Sequence, residues 1–247
     1  MSDIDFKKYL NTYSTIVKFL GCNEEVEIKP IATHQLKSML PYENETDEGV
    51  IENALDKLIM DSVITPDFNI NNLYLQDRFY LLLELRKISR GNEYQTKNDC
   101  PECKSQILST IDLGLLETTS YEYKDEVLKL DDNLSIKIDH PKRVDQRDAS
   151  ANVSKNKKLK GSEREAEIIW QTQARTIKSI MTPDGEVEDL KLNDTVYLIN
   201  NLPQMLYEKI TKWYTDNDFG VKMKHEVKCR HCDWSEESDL PLDNFFF

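Results

Sequence analysis

Glycine is scarce in this chain, with seven residues among 247. A phosphate-cradling loop needs several glycines close together so that backbone amides can approach the anion. Neither G-x-x-x-x-G-K-[ST] nor G-x-G-x-x-G occurs. The nucleophile elbow G-x-S-x-G and the helical zinc motif H-E-x-x-H are also missing. Long apolar runs are absent too. Asp3, Asp5, Lys7 and Lys8 break up the start of the chain, so neither a secretory leader nor a membrane-spanning helix is expected. Positive charge is in short supply: 32 Lys and Arg face 45 Asp and Glu, for a net charge of −13. Affinity for nucleic acid rests largely on Lys and Arg at phosphates, so no nucleic-acid partner is expected. The 39% apolar content still suffices for a core, and the 31% charged content implies a well-solvated surface.

What is present is cysteine in an informative arrangement. Four of the five cysteines form two Cys-x-x-Cys pairs, Cys100-Pro101-Glu102-Cys103 and Cys229-Arg230-His231-Cys232. A cytosolic compartment keeps thiols reduced, so paired motifs of this kind point to metal rather than disulfide. Each pair can present two thiolates to one ion, and together they make the Cys₄ set of a structural zinc site. Such a site has no open coordination position and cannot activate water. Zinc ribbons usually separate their pairs by about 15–20 residues, whereas residues 104–228 intervene here. Loop closure grows only logarithmically, so the longer insert adds roughly 2 kcal/mol. Apparent zinc binding in small fingers contributes about 10–16 kcal/mol. One Zn²⁺ on Cys100, Cys103, Cys229 and Cys232 is therefore the expectation. Four reduced thiols without metal, or two sites recruiting separate partners, are the alternatives. His225 and His231 read as surface residues, and Cys22 as a structural thiol.

Periodicity predicts an α+β fold: a helical domain with short β-hairpins and a zinc ribbon formed by the two distant knuckles. A strand is expected over 26–31 and helices over 33–40, 50–63 (capped by Asp47) and 76–90, with Gly91 ending the last. Ile107 to Leu113 reads as a strand, and 127–130 with 134–138 as a hairpin. Residues 141–161 carry seven basic side chains against two acidic ones and read as a solvated mobile loop, or else as a docking segment for an acidic partner. Ser162-Glu163-Arg164-Glu165 is a capping-box pattern, opening a helix whose apolar stripe runs from Ala166 to Met181. Short helices follow over 194–201 and from Pro203. The expected organisation is 1–92 (strand plus helices), 93–140 (first knuckle and hairpins), 141–161 (basic loop), 162–220 (helical insert) and 221–247 (second knuckle and aromatic terminus), or with 93–247 forming one unit. The terminal Phe245-Phe246-Phe247 is either an apolar plug for a partner or a cap on the chain's own core. His34 and His140 are isolated, and His140 reads as a loop residue.

One segment carries a resemblance. Asp77-Arg78-Phe79-Tyr80-Leu81-Leu82-Leu83-Glu84-Leu85-Arg86-Lys87-Ile88-Ser89-Arg90-Gly91-Asn92-Glu93-Tyr94 leads into the first knuckle. Ile111-Asp112-Leu113 follows, and a second knuckle stands near a phenylalanine-rich terminus. This resembles the baseplate hub assembly proteins of T-even-type contractile-tailed phages. The resemblance implies a non-enzymatic role in building the central hub, either as a transient assembly factor or as a hub subunit retained in the virion. It implies other hub proteins as partners and the host cytoplasm as the place of assembly. It supplies no catalytic residues, and only the four cysteines carry over, as metal ligands. A zinc-ribbon module contacting nucleic acid or a transcription complex is the outside alternative.

Overall fold

A computed structural model describes residues 13–42, 45, 47–240 and 245 of the chain. Strands β1 (Thr15–Lys18) and β2 (Glu25–Ile28) pair antiparallel, with Thr15 opposite Ile28. Alternation along them buries Val17, Val26 and Ile28. The turn between them is held from below: the buried Asp77 carboxylate accepts hydrogen bonds from the backbone N–H groups of Leu20 (2.7 Å) and Gly21 (3.0 Å). Helices α1 (Thr33–Met39), α2 (Glu48–Ser62) and α3 (Leu75–Arg90) follow. Asp47 caps α2 by accepting from the amides of Gly49 and Val50. Gly91, at φ +86°, ends α3 and donates its N–H to the Lys87 carbonyl, a backbone position that glycine adopts without steric cost.

Leu58, Ile59, Leu81, Leu82, Leu83 and Leu85 form the centre of a first core. That core also takes in Tyr94 and Leu113, and then Leu240 and Phe245 from the far end of the chain. Phe245 thus docks on the chain's own core, its ring 5.6 Å from that of Tyr94. Phe246 and Phe247 lie outside the described residues.

Beyond α3 the chain forms hairpin β3 (Glu93–Asp99) with β4 (Gln106–Asp112), then β5 (Thr118–Thr119). A second core follows around Leu130, Ile136, Ile138, Ala174, Ile177, Ile199 and Ile210. Its sheet has the order β6 (Val127–Lys129), β7 (Ser135–Ile138), β8 (Ile177–Thr182), β9 (Gly185–Val187), all antiparallel. The helices of this half are α4 (Arg143–Val153), α5 (Ser162–Thr176), α6 (Leu192–Asn201) and α7 (Gln204–Asp216). Strands β10 (Gly220–Val221), β11 (Lys224–Lys228) and β12 (Ser235–Asp239) complete the chain. The short ladder between β5 and β10, with Thr119 opposite Gly220, brings the two ends of this insert together.

Two expectations are corrected. The helix from Ser162 stops at Thr176, and Ile177, Ile180 and Met181 belong to central strand β8, opposite Ile138, Ile136 and Ser135. The β-branched Ile177 and Ile180 suit a pleated, half-buried surface, and the Thr176 hydroxyl bonds the Gln173 carbonyl and Tyr214 at the junction. Gly161 occupies the cap position of α5, so Ser162 makes no side-chain cap bond.

The second correction concerns the basic stretch 141–161, where α4 spans Arg143–Val153 in place of a mobile loop. Its anchor is an ion network of two buried arginines and two partly buried carboxylates. Asp56 accepts from Arg78 Nε at 2.6 Å and from Arg143 Nε at 2.7 Å, and Glu52 pairs with Arg78 at 2.8 Å. Ala149 and Val153 add apolar burial, and the Asp145 carboxylate accepts from the Lys142 N–H at the start of the helix. A count of charges hid the fact that Arg143, at 3% exposure, is an interior residue with a partner 87 positions away.

Candidate metal centre

The two Cys-x-x-Cys segments sit at the tips of two hairpins built alike. In the first, β3 and β4 pair as far as Asp99 opposite Gln106, and the Cys100 N–H then donates to the Ser105 carbonyl at 2.9 Å. In the second, Lys228 stands opposite Ser235, and the Cys229 N–H donates to the Trp234 carbonyl at 3.0 Å. Each tip turns tightly enough to point both of its sulfurs the same way. Lys104 takes a left-handed conformation (φ +60°) in the first turn, and the His231 N–H donates to Cys229 Sγ at 3.3 Å in the second. Behind the tips, Ile107 on β4 and Val227 on β11 are buried against Trp234, so apolar packing joins the hairpins independently of any ion.

This packing brings all four cysteines together. Their sulfurs lie within 4.8 Å of one another. The closest approaches cross between the tips: Cys100 Sγ to Cys232 Sγ at 3.6 Å, and Cys103 Sγ to Cys229 Sγ at 3.6 Å. A disulfide needs about 2.05 Å. A tetrahedral ion with metal–sulfur bonds of about 2.3 Å sets its sulfurs roughly 3.8 Å apart. The donor set therefore fits a tetrahedral thiolate-bound metal. Cys100 is fully buried and Cys103 faces solvent.

Two of the thiols, Cys103 and Cys232, are pulled in opposite directions. Hydrogen bonds from the Ser105 side chain and backbone bring Cys103 down to about 6. At Cys232 a backbone hydrogen bond at Trp234 favours the thiolate, but burial and hydrogen bonding with Cys100, Cys229 and Cys103 outweigh it and push the thiol up to about 12. Four thiolates this close repel one another, and a divalent cation compensates their charge.

A model of the T4 bacteriophage base plate protein family matches residues 10–246. The chain belongs to that family. Both hairpin tips and the whole insert between them fall inside the matched span, so the clustered cysteines are part of the baseplate-family region of the chain. No curated protein and no solved structure matches the chain.

The histidines near the tips are not needed to complete the four-sulfur set. His231 is exposed, and His225 is half-buried on β11. His140 does lie in the loop between β7 and α4, but it is buried there, at 2% exposure. Its Nε2 bonds the Asn217 carbonyl at 2.9 Å, and its ring packs among Tyr121, Trp213, Tyr214 and Phe219. Burial lowers its pKa, against the Asn217 hydrogen bond and the charges of Asp139 and Asp218. The adjacent Asp139 accepts from the Tyr74 hydroxyl at 3.0 Å, the Tyr121 hydroxyl at 3.4 Å and the His140 N–H at 2.7 Å. This cluster binds α3, β7 and α7 together. Its members are spread from residue 74 to residue 219, with no local pattern, and only a pairing map could have brought them together.

Proposed function

We propose that this chain is a non-enzymatic, chaperone-like assembly factor for the central hub of a contractile-tailed phage baseplate, stapled by one structural Zn²⁺ on Cys100, Cys103, Cys229 and Cys232. The observation that carries the baseplate assignment is the family match over residues 10–246. The sulfur cluster supports the staple. A closed Cys₄ site lends itself to structure and leaves no position for substrate. The net charge of −13 suits a soluble protein that shields client surfaces during assembly. Its partners are other baseplate hub proteins rather than nucleic acid, and it acts in the host cytoplasm as a late viral product. No helix among the described residues is long and apolar enough to cross a membrane.

The family description itself, a base plate protein, favours a second reading: a hub subunit retained in the virion. Quantitative mass spectrometry of purified particles separates the two. The assembly-factor reading expects the chain to be absent or far below hub stoichiometry. Stoichiometric presence would establish the retained subunit instead.

A further inference from the structure

The basic stretch divides into two halves with different fates. In the first, every charge is engaged. Arg143 is buried on Asp56, Arg147 pairs with Asp148 and bonds Asn71, and Lys142 lies over the Tyr74 ring at 5.3 Å. In the second half, Lys155, Lys157, Lys158 and Lys160 are all exposed, and none forms an ion pair among the described residues. The segment that carries them is held in place by its own hydrogen bonds. Ser154 N–H donates to the Ser150 carbonyl at 2.9 Å, Asn156 N–H to Val153 at 2.9 Å, and Leu159 N–H to Asn156 at 3.2 Å. Four cations are thus displayed on a fixed turn of a protein that is otherwise strongly acidic.

Beside that turn lies a cleft of about 470 Å³, between the start of α2 and the α4–α5 pair. Val50, Ala151 and Ile168 give it apolar patches, and Ser154 and Gly161, at its edge, belong to the lysine turn. Arg164 on its wall bonds the Ser154 hydroxyl at 2.9 Å and stands 4.0 Å from Asp47. We propose that this cleft and its lysine rim are the docking site for an acidic segment of a partner protein. The carboxylates of that segment meet Lys155, Lys157, Lys158 and Lys160, while its apolar side chains enter the cleft. Charge complementarity selects the occupant. The cations are local, whereas the net −13 of the whole chain repels a long uniform polyanion such as duplex DNA. A turn that is already ordered loses little conformational freedom on binding. This names the surface through which the hub-assembly role would be exercised and rests on that reading.

The test uses the full chain and fluorescently labelled poly-glutamate, with poly-glutamine of equal length and duplex DNA as comparisons, followed by fluorescence anisotropy. Poly-glutamate is expected to bind at low salt and to be released at about 1 M salt, where screening acts within roughly 3 Å. Reversing the rim (K155E, K157E, K158E and K160E together) is expected to weaken binding at least about tenfold. Ala151→Trp, which fills the cleft from an exposed helix position, is expected to weaken binding of a labelled glutamate–leucine copolymer, whose leucines can enter the cleft, with the rim intact. Unchanged melting of both variants by circular dichroism excludes misfolding as the cause. Three results would overturn the proposal: no preference for poly-glutamate over poly-glutamine, DNA bound at least as tightly, or full binding of the glutamate–leucine copolymer by Ala151→Trp. Failure here would leave co-purification with hub proteins, and hence the assembly role, separately testable.

Discussion

Replacing Asp56 by alanine should cost this protein more than almost any other single charge removal. Among the described residues, Asp56 is the one carboxylate shared by two buried guanidinium groups, with Arg78 Nε at 2.6 Å on Oδ1 and Arg143 Nε at 2.7 Å on Oδ2. The arginine side chains are 7% and 3% exposed. The two would fare differently after the change. Arg78 keeps the Glu52 carboxylate at 2.8 Å and the Glu52 carbonyl at 3.1 Å. Arg143 keeps only neutral acceptors, Gln146 Oε1 at 3.1 Å and Asn53 Oδ1 at 3.5 Å. An uncompensated buried charge costs about 3–5 kcal/mol, and that cost falls on the docking of α4 against α2 and α3. Urea unfolding followed by circular dichroism should show a loss in that range. Hydrogen exchange of the α4 amides should accelerate by at least about a hundredfold, since each 1.4 kcal/mol is roughly a factor of ten. Exchanging Asp56 and Arg143 together for apolar residues of similar size should recover most of the loss. A loss below about 1 kcal/mol with unchanged α4 protection would refute the claim that the network anchors the basic stretch.

Two further outcomes follow from the first core. Burial raises the Asp77 pKa, although the amides of Gly21 and Leu20 pull the other way. A carboxyl that holds its proton more tightly when folded contributes stability that is complete below its unfolded pKa and is lost as pH rises through the folded value. The stability of the wild type relative to Asp77→Asn should therefore fall as pH climbs through and above the ordinary carboxylate range. A relative stability independent of pH would contradict this. Phe245→Ala should lower stability by about 3–5 kcal/mol in the isolated chain, since Phe245 is 6% exposed in the first core. Unchanged melting would show that this side chain does not dock internally.

The sequence disclosed what local rules govern. Asp47 as a cap, Gly91 as a stop and the Asp131-Asp132-Asn133 turn, where Asp131 accepts from the amides of Asn133 and Leu134, are all short-range chemistry. So is each Cys-x-x-Cys tip. What it concealed were choices made by distant partners. Nothing near Arg143 announces Asp56, nothing near His140 announces Asn217, and the change from helix to strand at Ile177 is decided by Ile136 and Ile138 in another hairpin. The gathering of the two tips lies between these cases. The two cysteine pairs were readable locally, but the route by which the insert returns, through the β5–β10 ladder and the Ile107–Val227 packing, was not.

The central claim is that one zinc ion joins residues separated by just over half the chain. Metal analysis of freshly purified, reduced protein tests it most directly. The account predicts one zinc per chain, lost together with cooperative folding of the hairpin pair when Cys229 and Cys232 are changed to serine. Metal-free protein that keeps the same melting temperature in the presence of a strong chelator would contradict it.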